Sequence, residues 1–149
     1  MNLEIRYLRE GVTPPWRAHP DDAALDISAC LLTESGRELT TVISPRTTKN
    51  IPTGIALRPP PGFVILVCSR SGLAGNSLFV ANSPGVVDPG YTGEIRVLLY
   101  NGGLEPYYLK HGDRIGQILL THFHTFPLRT VESFPITERG EQGFGSTGR

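Results

Sequence analysis

An all-β fold is what this sequence predicts, and three features predict it. Gly and Pro together supply 30 of the 149 residues, and the longest stretch free of both runs only from Asp21 to Ser35. Pro removes a backbone N–H and Gly carries a large backbone entropy, so breakers this frequent leave no room for long helices. Between them lie short runs rich in β-branched and aromatic residues, the composition that suits a pleated, half-buried surface. In the first of these runs Leu3, Ile5 and Tyr7 alternate with polar neighbours, as in a strand with one buried face. Many short strands with frequent turns predict a jelly-roll-like β-barrel or sandwich with at most one short helix. At this length the chain forms one domain, residues 1–138, followed by a short arm.

The strand runs follow in order. Leu3–Tyr7 comes first, then Thr53–Leu57, then the apolar FVILV of Phe63–Val67. That last run changes abruptly into CSRSGLAG, residues 68–75, a strand-to-turn junction. Ser71 and Gly72 open a short helical turn there in this reading, with free N–H groups that suit an anion and Arg70 beside them. An ordinary Ser-Gly turn explains the same residues. Next, ANSPGVVDPGYTGEIRVLLYN, residues 81–101, places two apolar runs around Asp-Pro-Gly-Tyr-Thr-Gly and reads as a β-hairpin, with Glu94–Tyr100 as its returning strand. Asp88 is either a turn residue bonding the backbone ahead of it or a general base. Tyr91 is either a packing aromatic or part of a ligand site.

HGDRIGQILL, residues 111–120, turns tightly into the strand Arg114–Phe123, with Ile115, Gln117 and Leu119 on one face. A Gln among apolar side chains needs a polar partner, either a backbone group or a ligand oxygen. The end of the chain, ITERGEQGFGSTGR, has four glycines and little apolar mass, which predicts a mobile arm over residues 139–149. His19, His111, His122 and His124 show no catalytic spacing with a Ser or Cys and read as structural or solvated.

Bulk properties narrow the function. Lys plus Arg and Asp plus Glu both count 14, so no global field draws the chain to nucleic acid or to an acidic membrane. Any anionic ligand must be held by local groups. Cys30 and Cys68 stand far apart without metal-ligand spacing, and no apolar run reaches signal-peptide or membrane-span length. A reduced, cytoplasmic chain is expected.

Each of these signals is weak alone, but five of them fall in one order. DAALDISA at 22–29, RSGLA at 70–74, NSPGVVDPGYTGEI at 82–95, GDRIGQ at 112–117 and RGEQGFGSTG at 139–148 resemble the motifs of the trimeric dUTP diphosphatase (dUTPase) family, in its order and spacing. The resemblance implies Mg²⁺-assisted hydrolysis of dUTP to dUMP and pyrophosphate by a homotrimer with sites at its subunit interfaces. Asp88 then matches the carboxylate that activates the attacking water. Tyr91 matches the ring beneath the deoxyribose, and Asn82 with backbone groups of Val86, Val87 and Arg96 matches the uracil-pairing segment. Arg70, Ser71, Gly72 and Gln117 match phosphate contacts. Arg139, Gly145, Ser146 and Thr147 match the arm's grip on the outer phosphates, and Phe144 matches the aromatic that covers the base. Asp26 matches a carboxylate near the hydration shell of a Mg²⁺ held by triphosphate oxygens and waters. Two positions depart from the pattern, with Ala24 and Gln142 standing where Gly is frequent. The competing readings are a dCTP deaminase-like enzyme, which needs an additional acid/base for the exocyclic amine, and a dUTP-gated regulatory or binding protein.

Overall fold

The computed structural model describes residues 2–142. Within them the strands are β1 (Glu4–Tyr7), β2 (Ala24–Ser28), β3 (Thr40–Ile43), β4 (Thr48–Pro52), β5 (Ile55–Arg58), β6 (Phe63–Cys68), β7 (Leu78–Val80), β8 (Gly85–Val87), β9 (Arg96–Asn101), β10 (Tyr107–Lys110) and β11 (Arg114–His122). The short helix α1 (Ser71–Ala74) lies between β6 and β7. The all-β expectation holds, although among the described residues the strands do not close into a barrel. They form a four-stranded sheet β2-β11-β6-β8, a three-stranded sheet β4-β9-β7, and two pairs, β1-β5 and β10-β3.

One apolar core joins these sheets. Ile27 of β2, Ile65 and Val67 of β6, and Ile115 and Ile118 of β11 meet Ile51 of β4, Val97 and Leu99 of β9, and Leu78 and Val80 of β7. The strand β5 contributes a continuous buried run, Ile55, Ala56 and Leu57. Buried polar side chains have partners: Thr53 Oγ1 donates to the Ile95 carbonyl, and Asn101 Nδ2 donates to the Ile43 and Glu105 carbonyls at 2.9 and 2.8 Å. An unpaired amide at such a depth would cost about 1–3 kcal/mol. His111 is structural, as expected. Its Nδ1 accepts the Leu31 N–H at 3.2 Å, which leaves Nε2 to donate to the Gly11 carbonyl at 3.0 Å.

Gly54 is demanded by two constraints at once. Its φ is +71°, where a Cβ is disfavoured, and a Cβ there would lie 2.5 Å from Val12 Cγ2 and 2.9 Å from Cys30 Sγ. Ala24, in contrast, sits in the extended backbone of β2 opposite Leu119, a position that does not require Gly.

Three sequence expectations need correction. All four residues of β1 are exposed, with Ile5 and Tyr7 at 39% and 48%, because β1 is paired edge-on to β5 and neither of its faces is covered by the core. The segment 81–101 is not a regular hairpin. β8 pairs with β6 while β9 runs between β4 and β7, so residues 88–95 cross from one sheet to the other. Finally, Ile115, Gln117 and Leu119 do not share a face. The register of β11 against β2 shifts between Arg114 and Gly116, and this irregularity reverses the alternation beyond it. Ile115 and Ile118 therefore both enter the core, while Gln117 is only half-buried.

Candidate active site

Outside the arm, the predicted site residues gather in two clefts. The first, about 380 Å³, is lined by Asn82, Val86, Val87, Asp88, Tyr91 and Arg96, together with Asn50, Gly85 and Glu94. Its wall is β8, which pairs only with β6 and so is the edge of its sheet. An edge strand presents main-chain N–H and C=O groups without a ladder partner, and such a row can hydrogen-bond a planar base. The Asn82 side chain lies against Gly85, where a Cβ would come within 3.0 Å of Nδ2. At the end of β8 the chain turns. Pro89 follows Asp88, and the Tyr91 N–H donates to the Asp88 carbonyl at 3.0 Å, which leaves the exposed Asp88 carboxylate at the cleft.

Arg96 is held by its own neighbourhood. Its Nη1 donates to Glu94 Oε2 at 2.8 Å and its Nε to Asn50 Oδ1 at 3.0 Å. Sequence reasoning did not identify Glu94 or Asn50, although Glu94 lies inside the motif 82–95. The signal available was a Glu two residues before an Arg at the start of a strand. Such residues project to the same face of an extended chain.

The second cleft, about 470 Å³, brings together Arg70, Ser71, Gly72, Gln117 and Asp26 with Trp16, Asp22 and Arg114. The helix α1 starts here, with Arg70 as its N-cap residue. Its first internal bonds run from the Leu73 and Ala74 N–H groups to the Arg70 carbonyl. By helix geometry the Ser71 and Gly72 N–H groups have no acceptor within the helix, so they are available to an anion. Asp26 is fully engaged. Oδ1 accepts Arg70 Nε at 2.8 Å, and Oδ2 accepts Arg70 Nη2 at 3.2 Å and Arg114 Nη1 at 3.1 Å. The Arg114 guanidinium also stands 5.3 Å from the centre of the Trp16 ring, within cation–π range. The sequence motif contained Arg114, but nothing in it joined that cation to Asp26. Gln117 finds the backbone partner it needs, donating to the Ser69 carbonyl at 3.0 Å.

Ser69 sits between the two clefts. Its N–H donates to Ser83 Oγ at 3.2 Å, and its own Oγ accepts the Val80 N–H at 2.9 Å. Of the arm, Arg139 is exposed and its Nε donates to the Gln142 carbonyl at 3.0 Å, away from both linings. Phe144, Gly145, Ser146 and Thr147 lie outside the described residues. Burial raises the Cys30 thiol and the Tyr107 phenol above their ordinary values, and neither group lines either cleft.

An edge strand suited to a base, a carboxylate beside it and a guanidinium pair at a helix start suited to phosphates make this a nucleotide-processing class of all-β protein. Comparison with known proteins agrees. The dUTPase family model matches residues 11–148. The chain is 38% identical over 151 residues to a deoxyuridine 5′-triphosphate nucleotidohydrolase of Anaplasma marginale, covering 98% of this chain and 99% of that protein. It is 40% identical over 148 residues to one of Nocardia farcinica, covering 98% and 85%. Among solved structures, Staphylococcus bacteriophage 80alpha dUTPase with dUpNHpp superposes with a TM-score of 0.86 at 28% identity, over 99% of both chains. A mutant dUTPase from phage phi11 of S. aureus, whose structure concerns the coordination of a structural Mg(II) ion, has a TM-score of 0.77 at 25% identity, over 90% of this chain and 99% of that one. The chain belongs to the dUTPase family and is a nucleotide hydrolase.

Proposed function

We propose that this chain hydrolyses dUTP to dUMP and pyrophosphate, with Asp88 as the general base that activates water for in-line attack on the α-phosphorus. The observation that carries this reading is the first cleft, where the open edge of β8, Asn82, Tyr91 and the Asp88 carboxylate line one space. Uracil presents an N3–H donor between two carbonyl acceptors, whereas cytosine presents an N3 acceptor beside an amino donor. Asn82 and the main chain of Val86, Val87 and Arg96 pair with the first pattern. The second would leave buried polar groups unpaired, at about 1–3 kcal/mol each. Tyr91 lies under the sugar, and Asp88 takes the proton of the attacking water as the phosphorus–oxygen bond forms.

Arg70, Ser71, Gly72 and Gln117 bind the phosphates in the second cleft, where Asp26 holds Arg70 and Arg114 side by side. Among the described residues none lines both clefts. A base cleft and a phosphate cleft with separate linings support a homotrimer whose sites combine elements of neighbouring chains. The arm, residues 139–149, then closes over the nucleotide and brings Arg139, Phe144, Gly145, Ser146 and Thr147 to it. Among the described residues no group of three or more His, Cys, Asp or Glu is placed to hold a metal. Mg²⁺ fits this site with triphosphate oxygens and waters as its ligands, a shell it favours, and there it would neutralise phosphate charge. No helix among the described residues is long and apolar enough to cross a membrane, and cytoplasmic nucleotide metabolism is the setting we propose.

The test is pyrophosphate release from dUTP, dTTP, dCTP and UTP in parallel. We expect strong turnover of dUTP in Mg²⁺ and poor turnover of the others. Comparable use of UTP or dCTP would overturn the uracil cleft, and dUTP appearing from dCTP would point to a deaminase.

A further inference from the structure

We propose that Gly93 and Glu94 are positioning residues that set the discrimination between deoxyribose and ribose, by fixing the Tyr91 ring as a rigid plate. The inference rests on the reading of Tyr91 as the surface beneath the sugar. The ring is 46% exposed, so burial does not hold it. Two local contacts do. Its hydroxyl donates to the Glu94 carbonyl at 2.9 Å, and the ring lies directly on Gly93. A Cβ at position 93 would stand 2.6 Å from the Tyr91 hydroxyl oxygen, 2.7 Å from Cζ and 3.1 Å from Cε2, closer than side chains approach one another. Gly93 does not have a positive φ, so its φ does not call for glycine. The ring alone requires the missing side chain.

The acceptor for the hydroxyl is itself fixed. Glu94 Oε1 accepts the Gly54 N–H at 2.8 Å and Oε2 accepts Arg96 Nη1 at 2.8 Å. The next residue, Ile95, donates its N–H to the Ile55 carbonyl at 2.8 Å. The carbonyl that receives the Tyr91 hydroxyl is therefore anchored to β5 and β9. A plate that rejects one extra hydroxyl on the sugar must not yield by a few tenths of an ångström, and this arrangement supplies that stiffness.

The experiment compares kcat/KM for dUTP and UTP in the wild type, Gly93→Ala, Glu94→Gln, Tyr91→Phe, Tyr91→Ala and the double variants with Tyr91→Ala. Gly93→Ala displaces the ring and lowers the dUTP/UTP ratio at least tenfold. Its melting temperature stays near wild type, because the colliding group is the end of a half-exposed surface ring and lies outside the core. Tyr91→Phe removes one hydrogen bond and lowers the ratio by about 2- to 10-fold. Glu94→Gln cannot accept from both the Gly54 N–H and Arg96, and it lowers the ratio as well. Because all these effects act through one ring, Gly93→Ala and Glu94→Gln have no further effect on the ratio in the Tyr91→Ala background. If Tyr91→Ala lowers the ratio but Gly93→Ala and Glu94→Gln do not, or if their effects add to that of Tyr91→Ala, the proposal is overturned while the role of Tyr91 stands. If Tyr91→Ala leaves the ratio unchanged, the placement of Tyr91 under the sugar falls, and this proposal with it.

Discussion

Gly54→Ala tests how much of the fold's stability rests on one close approach, and Gly36→Ala is its matched control. Both glycines have a left-handed backbone, with φ of +71° and +80°. Forcing Ala into that region costs roughly 1–2 kcal/mol, and the lower entropy of the unfolded Ala chain returns about 0.4–1 kcal/mol. Around Gly36 there is no heavy atom within 4 Å of an added Cβ, so its penalty is only the difference, roughly 0–1.6 kcal/mol. At Gly54 the added Cβ meets Val12 Cγ2 at 2.5 Å and the Sγ and Cβ of Cys30 at 2.9 and 3.2 Å, and Cys30 is 2% exposed and unable to swing out. Overpacking of that kind adds about 1–3 kcal/mol, for a total of roughly 1–4.6 kcal/mol. Urea unfolding of both variants at one fixed protein concentration isolates the steric part, since any coupling to subunit dissociation is then common to both. For a chain of this length the Gly54 variant should also melt about 2–18 °C lower. Equal midpoint shifts for the two variants, with unchanged m-values, would refute the reasoning.

Asp88→Asn should lower kcat by about 10²- to 10⁴-fold and leave nucleotide binding largely intact, measured by turnover and by calorimetry with a non-hydrolysable analogue. Near-normal kcat would return Asp88 to the role of a turn residue. Trimers assembled 1:1 from an Asp88→Ala chain and a chain lacking 139–149 should regain roughly one quarter of the wild-type activity, because each site would draw the two elements from different chains. Proven heterotrimers as inactive as either parent would show that one chain supplies both. In alkaline solution, stability should fall. Burial raises the Cys30 thiol above its ordinary value, so the folded chain keeps a proton that the unfolded chain releases. That stability is fully present below the unfolded thiol's pKa of about 8.5 and is lost as pH rises beyond it, at no more than about 1.4 kcal/mol per pH unit. Urea midpoints across that range should decline less steeply in Cys30→Ala, and an unchanged slope would contradict the assignment.

The fold class was legible because Gly and Pro spacing and β-branched runs act locally, and the five apolar runs each became a strand within two residues at either end. The strands that escaped notice are either very short, such as β7 (Leu78–Val80), or not continuously apolar. β4, Thr48–Pro52, buries only Ile51 fully, and β2 carries Asp26 in its centre. Their pairing depends on partners far away in sequence, Ile51 with Val97 and Asp26 with Gln117. The same limit applies to the site. Its motifs marked Asn82, Asp88, Tyr91 and Arg70 by number, but the division into two clefts and the Arg70–Asp26–Arg114 cluster are products of strand order. A register irregularity in β11 reversed one expected face, and alternation alone carries no sign of such a shift.

The open edge of β8 has a consequence for how this protein can change. On the proposed reading the base is met by main-chain atoms that every amino acid except Pro shares, so replacing Val86 or Val87 with another non-Pro residue leaves the hydrogen-bonding pattern in place. Apart from Asn82, point substitution is therefore a poor route to a new base preference. A residue inserted between Ser83 and Asp88 would have to be taken up as a bulge that turns main-chain groups off the edge and breaks the row, and length variation in that short segment is where altered nucleotide choice should be sought.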